Sequence, residues 1–157
     1  MAKNIYNFKI DDIDGNPIDL SEFKGSPILL INTASKCGFT GQYQNLANLF
    51  LEYKDKGLII IATPSDSFNQ EFSDQEEIKE FCLVNYQTKF LITELIKVIG
   101  EDAHPIYQWI KEDYKKSPKW NFYKFLFNTK GELVDGWSSM TKPDSEKITS
   151  KIDLIAD

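Results

Sequence analysis

The sequence predicts an α/β fold in which a central mixed sheet is flanked by helices. Residues 27–34 and 58–62 are apolar runs rich in β-branched side chains, which is typical of strands buried on both faces. Apolar residues recur at helical spacing over residues 41–56, and this strand–helix–strand order predicts parallel pairing. Residues 122–127 and 132–137 flank an Asn-Thr-Lys-Gly turn, which predicts an antiparallel hairpin in the same sheet.

Turn and capping residues predict the remaining elements. Residues 5–10 alternate between apolar and polar side chains, and the turn sequence at residues 14–17 separates them from Ile18 and Leu20, which predicts an N-terminal β-hairpin. Three further helices are predicted from cap residues and helical spacing. They run from Ser73 or Asp74 to Val84, from Pro105 to Lys115, and from near Thr141-Lys142-Pro143 through Ile148, Ile152 and Ile155.

Composition limits the possible organisation and partners. The chain has 157 residues, 41% hydrophobic and 13% aromatic, without an internal repeat, so one domain over residues 1–157 is expected. A net charge of −6 argues against binding to nucleic acid or an anionic membrane surface, because both require a basic protein surface. All 18 basic residues are lysines, so no arginine can clamp a carboxylate or phosphate in a bidentate way.

The termini and cysteine content indicate a cellular location. Residues 1–8 lack the apolar core of a signal peptide, and no run approaches the roughly 20 apolar residues of a membrane span, so a cytoplasmic protein is expected. Two cysteines are too few for a secreted disulfide scaffold. The single histidine, His104, lacks metal-ligand spacing and is interpreted as an ordinary helix N-terminal or surface residue. No metal and no cofactor are predicted.

Cys37 is the candidate nucleophile because it lies between a predicted strand and a predicted helix. Unpaired backbone N–H groups and the positive end of the helix dipole favour a thiolate at such a position. A thiol with a pKa of about 8.5 is only a few per cent ionised at neutral pH, and a decrease of about two units would make it mostly thiolate. A small buried hydrophobic residue is the other interpretation that this position leaves open.

Neighbouring residues limit the chemistry of such a thiol. A cysteine hydrolase needs a histidine base, and no Asn or Asp near His104 clearly orients that ring. A thioredoxin-type dithiol needs Cys-x-x-Cys, but Thr40 stands at the fourth position. Oxidation of Cys37 by a peroxide to a sulfenic acid needs neither partner.

Cys82 is either a core thiol on an amphipathic helix or the second thiol that condenses with this sulfenic acid. A Cys37–Cys82 disulfide would enclose about 45 residues and stabilise the oxidised chain by roughly 4 kcal/mol. It requires the two Cα atoms to come within about 7 Å of each other. Because the two helices need not adjoin, we expect the second helix to unwind locally before the bond closes.

Three neutral hydrogen-bond donors are further candidates. Trp120 and Asn121 precede a predicted strand, and Gln70 lies in the polar stretch after residues 58–62. Such donors stabilise a thiolate and the alkoxide that leaves a split O–O bond, without adding a titratable group. A core tryptophan and two polar loop residues are the alternative interpretation.

Two motifs resemble those of one family. The stretch Asn32-Thr33-Ala34-Ser35-Lys36-Cys37-Gly38-Phe39-Thr40 resembles the active-site signature of the glutathione peroxidases, and Trp120-Asn121-Phe122-Tyr123-Lys124-Phe125-Leu126 resembles their second signature. The resemblance implies a thioredoxin-like fold. It also implies a catalytic tetrad, which falls on Cys37, Gln70, Trp120 and Asn121. Residues 63–72, around Gln70, are one residue shorter than the family's usual pattern.

The resemblance also suggests how the enzyme is recycled. Cys82 falls where cysteine-type members carry a resolving cysteine, and those members are reduced mainly by thioredoxin rather than glutathione. The missing arginines agree, since arginines help to hold glutathione in the selenium-dependent members. Cys37 replaces their selenocysteine, which implies a slower peroxide step. Residues 111–119 lack the family's tetramer-forming insertion, which implies a monomer.

The leading hypothesis is a thiol peroxidase that reduces hydrogen peroxide and organic hydroperoxides through a Cys37 sulfenic acid and a Cys37–Cys82 disulfide. Thioredoxin, or else glutathione, would then reduce the disulfide. The alternative is a peroxide sensor or relay that passes its oxidation to a client protein. A one-cysteine peroxiredoxin is disfavoured, because Leu30 and Ala34 replace the Pro and Thr of that family's Pro-x-x-x-Thr-x-x-Cys motif.

Overall fold

Five strands form one mixed sheet in a computed structural model of the chain. The structure describes residues 3–36, 38–71, 74–86 and 90–156. Side chains are described for all of these residues except 82–86. In chain order, the strands of this sheet and of a separate N-terminal hairpin are β1 (Lys9–Asp11), β2 (Pro17–Asp19), β3 (Ile28–Thr33), β4 (Ile59–Pro64), β5 (Leu91–Ile92), β6 (Lys124–Phe127) and β7 (Leu133–Trp137). The α-helices are α1 (Gln42–Tyr53), α2 (Gln75–Tyr86), α3 (Pro105–Tyr114) and α4 (Glu146–Ile155). The sheet order is β5–β4–β3–β6–β7, and β1 and β2 form a separate antiparallel hairpin.

Strand pairing confirms the predicted mixed sheet. β3 and β4 are parallel, with Ile28 opposite Ile59 and Thr33 opposite Pro64. β3 is antiparallel to β6, which continues into β7 as the predicted hairpin. Gly131 in its turn has a φ of 81°, and a Cβ there would approach the Asn4 side chain to 2.9 Å, so only glycine fits without strain.

The sheet has an apolar layer on each face. Leu29, Ile31 and Leu126 point to one face, where α1, α2 and α4 cover them. The intervening strand residues point to the other face, which α3 and the N-terminal segment cover. Because strand side chains alternate between faces, the continuous apolar runs in the sequence are those of a sheet buried on both sides.

Beyond shifts of a few residues at helix ends, four details differ from the sequence-based expectations. The alternating segment opens with a 3₁₀ turn at Ile5–Asn7, because the Asn4 side chain accepts the Tyr6 amide and caps that turn. The two-residue strand β5 is too short to leave a periodic pattern. The last helix begins at Glu146 instead of near Pro143, because the Ser145 hydroxyl caps it.

The fourth difference concerns the start of β6. It begins at Lys124 instead of residue 122, because Phe122 has a φ of 62°, which does not fit a strand. No helix in the described part of the chain combines the length and apolar character needed to cross a membrane.

Candidate active site

Three segments meet at one edge of the sheet. Residues 34–40 follow β3 and residues 65–71 follow the parallel strand β4, so both leave the sheet at the same edge. Residues 120–123 enter β6, which is antiparallel to β3 and therefore starts at that edge. Carboxyl ends of parallel strands are the usual place for a site in open α/β sheets. The topology brings the segments that carry the predicted site residues together.

The segment around Cys37 is held at three points. The Thr40 hydroxyl donates to the Ala34 carbonyl at 2.9 Å and closes the loop on itself. The Lys36 amide donates to the Gln70 carbonyl at 2.8 Å. The Ser35 amide donates to the buried Glu71 carboxylate at 3.0 Å. Cys37 itself lies outside the described residues, but its immediate neighbour Lys36 is bonded to Gln70.

The backbone amides at the start of α1 are hydrogen-bonded, whereas unpaired amides were expected at a helix end that favours a thiolate. The amides of Gln42 and Tyr43 donate to the carbonyls of Phe39 and Thr40 at 2.9 and 3.0 Å. The expectation that this helix offers unpaired amides is therefore wrong for these two residues, because a preceding turn takes up their N–H groups. The activation of the Cys37 thiol stays a prediction.

Gln70 and Asn121 form a direct pair. The Asn121 Nδ2 donates to the Gln70 Oε1 at 3.2 Å, and Asn121 is fully buried. Because Gln70 accepts through its oxygen, both N–H groups of its Nε2 stay available as donors. The pair therefore presents N–H groups and adds no titratable charge. These two predicted residues are brought together.

Unusual backbone geometry flanks both members of this pair. Asn69, immediately before Gln70, and Phe122, immediately after Asn121, have φ values of 60° and 62°. Asn tolerates the left-handed region, but a bulky residue there costs roughly 1–2 kcal/mol. Packing fixes Phe122, whose fully buried ring meets that of Tyr43 edge-to-face at 5.5 Å. Strain of this kind clusters at functional sites.

Trp120 lies beside the pair and is partly buried. Its ring packs on that of Phe68 at 5.3 Å between centroids, with a tilt of 46°. Phe68 belongs to the same segment as Gln70, so this contact and the Gln70–Asn121 bond both join the segment after β4 to the segment before β6. Three of the four predicted tetrad residues thus lie in adjoining segments.

Asn32 anchors the Trp120–Asn121 segment and was not among the predicted site residues. Its Nδ2 donates to the Trp120 carbonyl and its Oδ1 accepts the Tyr123 amide, both at 3.0 Å. Its own carbonyl accepts the Phe122 amide at 2.6 Å. Asn32 is fully buried near the end of β3. An asparagine inside a run of apolar strand residues is a signal that could have identified it, because a buried polar side chain needs hydrogen-bond partners.

Lys124 is a second buried polar residue near the site that was not predicted from the sequence. This fully buried lysine donates from Nζ to the Ser138 carbonyl at 3.3 Å. Burial away from water lowers its pKa to about 7, because the charged ammonium loses its hydration. The interior amine therefore titrates near neutral pH.

His104 has the structural role that the sequence suggested. It is the N-cap of α3, and its Nδ1 accepts the Ile106 amide at 3.2 Å. Desolvation lowers the pKa of its imidazole, partly offset by Asp11 and by a hydrogen bond to the Lys9 backbone. Because its Nδ1 accepts a backbone amide of the first turn, the His104 ring acts as a helix cap.

Cys82 lies within α2, and its side chain is outside the described set. Its neighbour Phe81 lies 6.5 Å from Tyr43 between ring centroids. The sequence left open whether the first two helices adjoin, and this aromatic contact joins α1 and α2. The pairing of Cys82 with Cys37, and the expected unwinding, stay predictions.

Comparison with known proteins shows which family shares these features. The sequence model of the glutathione peroxidase family matches residues 5–111. The glutathione peroxidase-like peroxiredoxin gpx1 of Schizosaccharomyces pombe is 43% identical over 146 residues, which cover 90% of this chain and 92% of that protein.

Solved structures agree at the level of the fold. The crystal structure of T. cruzi GPX1 matches with a TM-score of 0.78 and 32% identity, over 98% of this chain and 97% of that one. A thioredoxin-family thiol:disulfide interchange protein from Chlorobium tepidum TLS, only 11% identical, matches with a TM-score of 0.72 over 100% of this chain and 99% of that one. The predicted thioredoxin-like fold is confirmed.

Proposed function

This chain belongs to the glutathione peroxidase family, and we propose that its peroxidase reaction takes place at Cys37, with Gln70, Trp120 and Asn121 around it. The observation that carries this proposal is the hydrogen bond between Asn121 Nδ2 and Gln70 Oε1. It joins two neutral carboxamides next to Lys36, whose amide is bonded to the same glutamine. A thiolate at Cys37 would thus have neutral donors close by.

In the first step the Cys37 thiolate attacks one oxygen of a hydroperoxide. An S–O bond forms while the O–O bond breaks, so that sulfur is oxidised to a sulfenic acid and the peroxide is reduced. The departing hydroxide or alkoxide takes up a proton and leaves as water or an alcohol. The N–H groups of Gln70, Trp120 and Asn121 would stabilise the negative charge that moves from sulfur to this oxygen.

In the second step we assign Cys82 as the resolving thiol. Its sulfur attacks the sulfenic sulfur of Cys37, an S–S bond forms, and the hydroxyl group leaves with the proton of the Cys82 thiol as water. The contact between Phe81 and Tyr43 supports this assignment, because it packs the helix of Cys82 against α1.

A dithiol reductant completes the cycle. Thioredoxin is the proposed reductant: its two thiols become a disulfide while Cys37 and Cys82 return to thiols. The absence of arginine among 18 basic residues supports thioredoxin over the anionic tripeptide glutathione. We also propose a monomeric, cytoplasmic, single-domain enzyme; the connection of only five residues from Tyr114 to Trp120 supports the monomer.

The experiment that tests this cycle is NADPH oxidation coupled through thioredoxin and thioredoxin reductase, with hydrogen peroxide and an organic hydroperoxide as substrates. Glutathione with glutathione reductase serves as the competing donor. Cys37→Ser should abolish turnover with both donors. Cys82→Ser should abolish thioredoxin-dependent turnover while one equivalent of peroxide is still consumed.

Each alternative outcome has a definite meaning. Full thioredoxin-dependent turnover in Cys82→Ser would remove the resolving role of that residue. Faster turnover with glutathione would overturn the choice of donor. Oxidation of Cys37 without sustained NADPH consumption would favour the sensor or relay, which the family relationship does not favour.

A further inference from the structure

Ser139 connects two parts of the candidate site. It lies two residues after the end of β7 and is buried. Its hydroxyl donates to the Asn121 carbonyl at 2.6 Å, 18 residues earlier in the chain. Its own carbonyl accepts the Nε2 of Gln42 at 2.6 Å, 97 residues away. Gln42 is the first residue of α1, so one serine joins the Asn121 segment to the helix that follows the Cys37 loop.

The surroundings of Ser139 make this connection rigid. Gln42 is buried as well, so neither bond is exposed to competing water. The preceding residue, Ser138, is held in turn by the buried amine of Lys124 at 3.3 Å. Both bonds are short: 2.6 Å is within the usual range for the O–H···O bond of the Ser139 hydroxyl and just below the usual range for the N–H···O bond of Gln42.

Asn121 is consequently held in two different ways. Gln70 binds its side-chain amide, which sets the orientation of the carboxamide. Ser139 binds its backbone carbonyl, which sets the position of the residue relative to α1. A donor aimed at developing charge is effective only when it is already in place, and a displacement of about 1 Å can reduce the rate by about 100-fold.

We propose that Ser139 is a positioning residue for the peroxide step, which fixes the Asn121 carboxamide relative to the segment that carries Cys37. This inference rests on the proposed roles of Cys37 and Asn121. It requires that, once the Cys37 thiol is fully ionised, loss of the Ser139 hydroxyl slows O–O cleavage more than it slows reactions of the thiolate that break no O–O bond.

The test compares two reactions of Cys37 in a Cys82→Ser background, where it is the only thiol. Oxidation by hydrogen peroxide breaks an O–O bond, whereas alkylation by iodoacetamide uses the same thiolate and breaks none. With both rate constants taken on their high-pH plateaus, where the thiol is fully ionised, Ser139→Ala should lower oxidation about tenfold and leave alkylation within about twofold. Ser145→Ala is the matched control, because Ser145 lies in the same connection between β7 and α4 and its hydroxyl caps α4. Both the oxidation and the alkylation rate constants of this variant should stay within about twofold of the parent.

A second substitution and a double-mutant cycle complete the design. Gln42→Leu removes the donor to the Ser139 carbonyl and should show the same selective loss, which keeps the test informative if Ser139→Ala does not fold. In an Asn121→Ala background, Ser139→Ala should have no further effect on oxidation.

Several results would overturn the inference. One is oxidation within twofold of the parent in both Ser139→Ala and Gln42→Leu, and another is an equal loss of oxidation and alkylation. If Asn121→Ala is slow while Ser139→Ala is not, only the role of Ser139 fails. If Asn121→Ala itself oxidises at the parental rate, the proposed site fails together with it.

Discussion

Asn121 Nδ2 lies 3.2 Å from Gln70 Oε1, and this bond joins residues that are 51 positions apart in the chain. It aligns two carboxamides so that one donates to the other, while Asn121 keeps one further N–H group and Gln70 keeps two. The bond also couples the segment after β4 to the segment before β6. Both residues should therefore act as a unit when a nearby anion has to be stabilised.

The first prediction follows from this coupling. Asn121→Ala should slow oxidation of Cys37 by hydrogen peroxide about 100-fold, and Gln70→Ala by a similar factor, because each removes a preorganised donor. The double variant should be slowed by much less than the product of the two factors. Single-turnover oxidation in the Cys82→Ser background measures all three rates. Fully multiplicative losses would show that the pair does not work as a unit.

The second prediction concerns the anchor of the Trp120–Asn121 segment. Asn32→Ala leaves the Trp120 carbonyl and the Tyr123 amide without their buried partner and should lower the free energy of unfolding by about 2–4 kcal/mol. Urea unfolding followed by tryptophan fluorescence gives this value. The control Asn48→Ala, on the exposed face of α1, should leave stability unchanged or slightly higher. Equal effects of the two substitutions would refute the anchoring role.

The third prediction uses the buried amine of Lys124. The pKa of this group is about 7 in the folded chain, below its ordinary value of 10.5, so the unfolded chain binds the extra proton between these pH values. The wild-type protein should therefore gain stability relative to Lys124→Met as the pH rises, by about 2 kcal/mol from pH 7 to 9. Below pH 7 the difference should level off.

Unfolding free energies of the wild type and Lys124→Met at several pH values between 6 and 9.5 test this dependence. Lys116→Met, at an exposed position, provides the control and should track the wild type throughout. A stability difference between Lys124→Met and the wild type that does not change with pH would contradict the burial of an amine that titrates near 7.

The fourth prediction concerns the cap of α3. Burial lowers the pKa of His104 in the folded chain, so the unfolded chain binds more protons as the pH falls below about 6.5. The wild type should lose stability between pH 7.5 and 5 relative to His104→Asn, which keeps a capping acceptor that does not titrate. Thermal unfolding at both pH values measures this difference. Parallel pH profiles would show that the imidazole is not held neutral by the fold.

Local patterns were sufficient for most of the framework. The apolar runs of β3 and β4, the helical spacing of α1 and the turn before β7 each depend on neighbouring residues, and all four elements formed where the sequence predicted them. His104 before Pro105 likewise indicated a helix start. The two-residue strand β5 and the left-handed Phe122 were not predicted, because pairing and packing with distant segments determine them.

The residues of the candidate site likewise fall into two groups, those predicted from the sequence and those that only the structure revealed. The sequence by itself singled out Cys37, Gln70, Trp120 and Asn121, because their residue types suit peroxide chemistry and because two motifs resemble a known family. Only the tertiary structure revealed that Asn32 and Ser139 hold the segment of Asn121 and that the side chain of Lys124 is buried. The contacts of Asn32 and Ser139 with that segment join residues 18 to 91 positions apart, and local sequence does not specify the partners of bonds that exist only once the sheet has assembled.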